Sequence, residues 1–177
     1  MTEKLLAADQ RFSLFLGQFY QLWSGVEMLS SLAVGILLNI PDEETHLLTA
    51  RMEFSRKAGL IRELLQRRTN PKKSEIKSAL NKLQNESKRN VFAHSIILSS
   101  EHSVTFLERG WQQDYISSKH KFTLVEFTEH VHVFSKAVTD LMEALDISRD
   151  RLGTFSEAAM SAQSKPRKSP KPPKDKA

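Results

Sequence analysis

The strongest constraint on the fold is a run of helical apolar spacing between residues 12 and 40. Apolar side chains recur there at three- and four-residue steps, the period of one helix face: Phe12, Phe15, Leu16, Phe19, Trp23, Val26, Leu29, Ala33, Ile36, Leu37 and Ile40. An unbroken helix of this length spans about 43 Å at ~1.5 Å per residue. Pro41 ends it, because proline disfavours helical geometry in the preceding residue. Three glycines weaken the helix and favour a kink or a close helix crossing: Gly17, Gly25 and Gly35.

The rest of the chain continues in helical segments with one β-favouring excursion. A second helix is predicted from Asp42 to the Asn70-Pro71 turn, and a third from Ser74 to His94. Two β-favouring runs around Gly110 then indicate a hairpin, Ser103 to Arg109 and Gln112 to Ile116. Thr123 with Glu126 is a capping-box signature, and apolar residues at helical spacing follow it as far as Leu145. The predicted fold class is all-α, a helical bundle with a β-hairpin excursion.

Charge and composition divide the chain into a folded body and a basic tail. Apolar residues make up 40% and charged residues 27%, as in ordinary soluble domains, and we expect one domain over 1–148. A short helix is expected over 149–163, and the Lys/Pro-rich segment 164–177 is expected to be disordered. Six basic residues and one acidic residue in 165–177 account for the whole formal charge of +5. The folded body is therefore close to neutral, and the positive net charge of the whole chain does not indicate a nucleic-acid surface on that body.

Several classes of protein are excluded or disfavoured. There is no cysteine, which excludes disulfides, thiol catalysis, zinc fingers and iron-sulfur ligation. The N-terminus lacks the features of a secretory signal, and the most apolar run, Leu32 to Leu38, is shorter than the roughly 20 residues that a spanning helix needs. We therefore predict a cytoplasmic protein with no membrane segment.

The candidate chemistry lies at the end of the third predicted helix. Glu86, Asn90 and His94 are spaced four residues apart, which places all three on one face of a continuous helix. Arg89 lies about 100° away, within reach of its long side chain. An imidazole transfers protons near neutral pH and a guanidinium holds the negative charge that develops on phosphorus, as metal-free phosphodiester cleavage requires. Asn90 is then suited to orient a phosphate or ribose, and Glu86 to fix the histidine tautomer. The alternative is that His94 is a packing or solvent-facing residue.

Other polar residues are candidates for binding roles. A basic group around the Asn70-Pro71 turn and before the motif could contact an RNA backbone: Arg67, Arg68, Lys72, Lys73 and Lys88. Solvated turn charges are the alternative. His130 and His132 would point about 200° apart on a helix, which argues against a shared metal. Three further histidines are expected at the surface without acidic partners: His46, His102 and His120.

The motif region has the sequence Lys88-Arg89-Asn90-Val91-Phe92-Ala93-His94-Ser95. It resembles the signature of HEPN-domain proteins, in which four to six positions separate an arginine from a histidine and the arginine is usually followed by a polar residue. The resemblance extends more loosely over residues 8–146. The predicted elements follow in the order seen in one branch of that family: a long first helix with Trp23 and Glu27, a second helix, the motif helix, a hairpin and a closing helix.

The resemblance implies an antiparallel helical bundle that forms a homodimer and pairs two motifs across a cleft. It also implies an endoribonuclease that uses no metal or other cofactor and takes the ribose 2′-hydroxyl as nucleophile. His94 would be the general acid or base, Arg89 the transition-state clamp and Asn90 a supporting residue. By the same resemblance the protein could be a toxin or defence effector with a neutralising antitoxin. Two alternatives remain open: an inactive HEPN-like module that binds RNA or a protein partner, and a helical scaffold with a basic arm.

Overall fold

The computed structural model describes residues 3–109 and 116–164 and shows a mostly helical protein, as the sequence predicts. Within these ranges the helices are α1 (Glu3–Leu38), α2 (Asp42–Thr49), α3 (Phe54–Arg67), α4 (Lys73–Glu86), α5 (Arg89–His94), α6 (Leu124–Ala144) and α7 (Arg149–Ser164). The strands are β1 (Ile96–Ser99), β2 (Ser103–Arg109) and β3 (Ile116–Thr123). α1 packs against α3 and α6, and α4 packs against α6. The basic tail, predicted to be disordered, lies outside the described residues.

The long first helix ends three residues before Pro41, which confirms the predicted stop. Asn39 adopts a left-handed conformation with φ of 59°. The Ile40 amide donates to the Gly35 carbonyl at 3.1 Å, and the Asn39 amide donates to the Ile36 carbonyl at 3.2 Å. These two bonds form a Schellman motif, which satisfies carbonyls that a helix end otherwise leaves open.

Of the three glycines in α1, Gly35 lies at a close helix crossing. A Cβ atom at this position would overlap the Thr45 side chain of α2. At Gly17 and Gly25 a Cβ atom would meet nothing within 4 Å. The predicted close approach therefore occurs at Gly35, and it sets how tightly α2 packs on α1.

The second predicted helix is two helices, which corrects the continuous segment expected from Asp42 to Asn70. The chain turns at Glu53, whose backbone is extended with ψ of 157°. This turn directs Phe54 into the core, where its ring lies 5.3 Å from that of Trp23. The burial of Phe54 accounts for a break that no proline or glycine marks.

The third predicted helix is also broken, between α4 and α5. Ser87 is buried and Lys88 is left-handed, with φ of 48°. The change of direction turns Phe92 inward, with its ring centre 4.9 Å from Phe19 and 4.8 Å from Phe106. The packing of Phe92 therefore helps to set the orientation of the motif helix α5.

The β excursion is a three-stranded antiparallel sheet in the order β1-β2-β3 rather than the two-stranded hairpin that was predicted. β2 occupies the first predicted strand. Most of the second, 112–116, lies outside the described residues, and β3 runs from Ile116 to Thr123. Ile96 pairs with Leu107 and Phe106 pairs with His120. The sheet thus joins the end of α5 to the start of α6.

α6 begins where the capping box predicts. The Thr123 hydroxyl accepts from the Glu126 amide, and the Glu126 carboxylate accepts from the Thr123 amide at 2.7 Å. The helix places Phe127 in an aromatic cluster that also includes residues of α1, α5 and the sheet: Phe12, Phe19, Phe92, Phe106 and Phe122. This cluster fixes α5 between the first helix and the sheet.

α7 lies in the segment where a short helix is expected, and it packs on α2. Arg151 donates to both carboxylate oxygens of Asp42, at 2.8 and 2.6 Å. His46 stacks on Phe155 with ring centres 3.8 Å apart. By length and composition the Asp9–Leu38 part of α1 could cross a membrane, but half of its most apolar window is buried in the protein, as in a core helix.

Candidate functional site on the α5 helix

The motif helix α5 has an inner and an outer side. Phe92 is buried and anchors the inner side. Asn90 and His94, four residues apart, lie about 40° from each other by the ~3.6-residue period, and both are exposed. Arg89 is half-buried, and its Nη1 donates a hydrogen bond to Asn90 Oδ1 at 3.2 Å. The structure therefore presents an amide and an imidazole together on one open face, with a guanidinium beside the amide.

Tyr20 of α1 is close enough to the motif for the charge of Arg89 to act on it, and the sequence did not single it out. Burial raises the pKa of its phenol, and the nearby positive charge of Arg89 opposes this shift. The hydroxyl is therefore protonated at neutral pH and can act as a donor beside the guanidinium. Its position next to the core residue Phe19, but off the apolar stripe, was the only signal in the sequence.

The continuous helix on which the predicted alignment of Glu86, Asn90 and His94 depended is interrupted. The break lies at Ser87 and Lys88. The side chain of Glu86 lies outside the described part of the structure. Its predicted role in fixing the His94 tautomer has therefore lost its geometric basis.

Arg89 and His94 do not meet within one chain. They are five residues apart on α5, which separates them by about 140° around the helix axis. Among the described residues, none forms a hydrogen bond or ion pair with His94. One protomer therefore groups Arg89 with Asn90 and Tyr20, and leaves the His94 imidazole open to solvent.

Four of the five predicted RNA-contacting residues lie far from the motif. Arg67 and Arg68 are exposed at the end of α3, and Lys72 and Lys73 lie at the start of α4. The length of α4, about 21 Å at ~1.5 Å per residue, separates them from its other end. The ammonium group of Lys72 donates to the Glu143 carbonyl of α6 at 3.0 Å. Lys88 alone adjoins α5, and it is exposed.

Two of the three histidines expected at the surface have partners. The His46 Nε2 atom lies 2.7 Å from the Phe155 carbonyl oxygen, and this ring is half-buried. The His120 Nε2 atom lies 3.3 Å from Glu108 Oε2 and 3.2 Å from Ser118 Oγ. His46 is thus half-buried rather than at the surface, because it packs on α7. His120 stays partly exposed, as expected, but it has an acidic partner on the neighbouring strand. His102 is exposed, as predicted.

Glu108, Ser118 and His120 form a polar cluster at one end of the sheet. The Ser118 hydroxyl donates a hydrogen bond to the Glu108 carboxylate, and this bond lowers the pKa of Glu108 more than any other group does. A hydrogen bond from His120 lowers the same pKa further. Lys88 lowers it further through its positive charge. The carboxylate is therefore ionised at neutral pH. The three residues share a sheet face with Phe106, because the cross-strand pairs are Glu108 with Ser118 and Phe106 with His120.

The His-x-His pair on α6 points in two directions, as predicted. His130 is half-buried against aromatic rings, with centroid distances of 5.4 Å to Phe92 and 6.1 Å to Phe122. His132 is exposed. Within residues 3–109 and 116–164, no three histidine or acidic side chains are grouped as metal ligands would be.

Two surface grooves lie away from α5. One, of about 600 Å³, lies between α4 and α6 and contains Lys72 and Asp140. The other, of about 550 Å³, lies between α1 and α6 and contains Phe15 and Val131. Their volumes are those of small-molecule sites, but no residue of α5 lines either groove. The polar groups on α5 lie on an open surface, which suits a polymeric substrate or a site that a second chain completes.

Comparisons with protein-family models, with curated proteins and with solved structures found no match to this chain. The functional interpretation therefore rests on the motif and on the geometry around it.

Proposed function

We propose that this protein is a homodimeric, metal-independent endoribonuclease of the HEPN type, with Arg89, Asn90 and His94 at a composite site. The observation that carries the proposal is the presentation of Asn90 and His94 on the exposed side of α5, with Arg89 beside Asn90. These are the groups that cleavage through the ribose 2′-hydroxyl requires. The resemblance of residues 88–95 to the HEPN signature supplies the link to RNA.

The reaction would proceed by transesterification. The His94 imidazole takes the proton from the 2′-hydroxyl, and the 2′ oxygen forms a bond to phosphorus. The bond from phosphorus to the 5′ oxygen breaks as that oxygen takes a proton from a second proton-transfer group. Arg89 stabilises the negative charge on the phosphoryl oxygens, and Tyr20 can donate a hydrogen bond to the same group. The products are a 2′,3′-cyclic phosphate and a 5′-hydroxyl.

A dimer would complete the site. Arg89 and His94 lie about 140° apart on one helix, so one bound phosphate is poorly placed to contact both side chains of the same chain. Pairing of two α5 helices about a twofold axis would bring Arg89 of one protomer towards the motif of the other. It would also provide a second histidine for proton transfer.

The biological setting follows from the resemblance alone. A cytoplasmic toxin or defence effector with a neutralising antitoxin is the setting that HEPN ribonucleases suggest. RNA is the proposed substrate, with Lys88 beside the motif as a phosphate contact. The distant group, Arg67, Arg68, Lys72 and Lys73, would serve only a long RNA that extends across α4.

Cleavage of a mixed RNA pool in excess EDTA tests the proposal. Wild type should cleave, and His94→Ala and Arg89→Ala should each reduce the rate by at least about 100-fold, the scale of a lost acid-base or charge-stabilising group. His132→Ala is the matched control, because His132 is an exposed helical histidine on α6. Sedimentation of the wild-type protein should show a dimer. Absence of cleavage by all four proteins would contradict the enzyme proposal.

The alternative function is an inactive HEPN-like module that binds RNA or a protein partner. One observation favours it: no described side chain orients the His94 imidazole, whereas an active-site base is usually held by a neighbouring group. RNA binding by wild type without cleavage, weakened equally by Arg89→Ala and Lys88→Ala, would support this alternative.

A further inference from the structure

The polar cluster at the end of the sheet has no role in the site as proposed so far. Glu108 and His120 are accessible, with side chains 36% and 29% exposed. Their separation of 3.3 Å is within reach of a hydrogen bond. A histidine held by a carboxylate and open to solvent is the usual form of a general acid or base.

The cluster lies against the motif helix. His120 pairs across the sheet with Phe106, and the Phe106 ring lies 4.8 Å from that of Phe92 at the centre of α5. Lys88, the residue before Arg89, acts electrostatically on the Glu108 carboxylate. The pairing of Ile96 with Leu107 places Glu108 beside the segment that follows His94. The sheet thus places Glu108 near Lys88 and near the segment that follows His94, at the two ends of α5.

We propose that His120 is the second proton-transfer group of the cleavage site, supplied by the same chain as Arg89, and that Glu108 and Ser118 are positioning residues. The inference rests on the proposed ribonuclease function. It replaces the second His94 of a dimer as the proton donor, while Arg89 and His94 keep their roles.

The arrangement suits acid-base chemistry better than a serine nucleophile. In a nucleophilic triad, the carboxylate holds one ring nitrogen and the serine contacts the other. Here Ser118 Oγ and Glu108 Oε2 both lie beside Nε2 of His120, at 3.2 and 3.3 Å. The serine therefore holds the carboxylate, and the carboxylate accepts from the imidazolium form of His120.

The proton balance is complete. His120, in its protonated form, donates to the 5′ oxygen as the bond from phosphorus to that oxygen breaks. His94 accepts the proton of the 2′-hydroxyl as the 2′ oxygen bonds to phosphorus. Exchange with water after product release restores both rings. Among residues 3–109 and 116–164, Glu108 forms an ion pair with His120, and Lys88 acts electrostatically on that carboxylate.

Single-turnover cleavage of a normal RNA tests this role. His120→Gln should reduce the rate by about 100-fold or more, the scale of a lost general acid. His102→Gln is the matched control on the β1–β2 turn and should behave as wild type.

A second substrate separates proton donation from a merely structural effect. When sulfur replaces the 5′ oxygen at the cleaved bond, the leaving group departs without a proton. His120→Gln should then cleave at nearly the wild-type rate, while His94→Gln remains slow. Equal loss on both substrates, or a His120→Gln rate within about twofold of wild type on the normal RNA, would overturn the inference alone. Absence of cleavage by wild type would overturn the ribonuclease proposal and this inference with it.

Discussion

Arg89 donates a hydrogen bond to the side chain of its neighbour Asn90, with 3.2 Å between Nη1 and Oδ1. The bond occupies the amide oxygen and directs the amide NH2 group of Asn90 elsewhere on the exposed side of α5. The guanidinium keeps other N–H groups for a ligand. A neutral acceptor thus orients Arg89 without neutralising its charge.

Replacement of Asn90 by aspartate should separate positioning from charge. The carboxylate would strengthen the bond to Arg89 but cancel its charge and repel a phosphate. We expect Asn90→Asp to reduce RNA cleavage by at least about tenfold, the effect of ~1.4 kcal/mol, with unchanged thermal stability. Asn90→Ser, which keeps a neutral acceptor, serves as the control. Equal activity of the aspartate variant and wild type would contradict a phosphate-binding role for Arg89.

Tyr20→Phe tests the phenol beside Arg89. Because burial raises the pKa of Tyr20, the hydroxyl remains a donor throughout the neutral range. Loss of one neutral hydrogen bond costs about 1 kcal/mol, so kcat should fall roughly fivefold. Far-ultraviolet circular dichroism should be unchanged, since the ring is retained. An unaltered kcat would remove Tyr20 from the site.

The ion pair between Glu27 and Lys57 should respond asymmetrically to mutation. Lys57 Nζ lies 2.7 Å from Glu27 Oε2 and 3.1 Å from the Glu27 carbonyl oxygen, with the Lys57 side chain only 7% exposed and that of Glu27 34% exposed. Glu27→Ala leaves the buried Lys57 ammonium without its carboxylate partner and should destabilise the protein by roughly 3 kcal/mol. Lys57→Met leaves a carboxylate that water can reach and should cost about 1 kcal/mol. Urea unfolding gives both values, and a larger loss for Lys57→Met would refute this account.

Acid should loosen the attachment of α7 to α2. The hydrogen bonds from Arg151 hold the pKa of Asp42 below its usual value of 3.8. The pair therefore stabilises the fold fully above about pH 4, and this contribution is lost as pH falls through the lowered pKa. Asp42→Asn should cost no more than about 1 kcal/mol at neutral pH.

Unfolding curves of wild type and Asp42→Asn should accordingly converge at low pH. The exposed pair of Lys136 and Asp140, 3.8 Å apart, offers the control, and Lys136→Met should change stability by only ~0.3 kcal/mol. A difference between wild type and Asp42→Asn that persists unchanged at pH 3 would show that the carboxylate charge is not the cause.

Local patterns predicted the helical character, the end of α1 and the start of α6. The apolar period identified the faces of these helices, and Thr123 with Glu126 marked a real capping box. The breaks after Thr49 and after Glu86 were missed because neither contains proline or glycine. They follow from the burial of Phe54 and Phe92 against residues distant in sequence, which a local pattern does not contain.

The candidate site was predictable in its motif but not in its surroundings. Arg89, Asn90 and His94 are visible in the sequence, whereas the Glu108–His120 contact requires the β2–β3 register. The charge of Arg89 acts on Tyr20 because α5 packs on α1 through Phe19 and Phe92.

The most direct test of the central claim is the chemistry of the ends left on a defined RNA oligonucleotide in excess EDTA. Wild type should produce a 2′,3′-cyclic phosphate and a 5′-hydroxyl, and should leave uncut an otherwise identical strand with a 2′-deoxyribose at the cleaved position. His94→Ala should produce neither end. Cleavage of the deoxy-substituted strand, or equal product from His94→Ala and wild type, would contradict a metal-independent ribonuclease with His94 at its site.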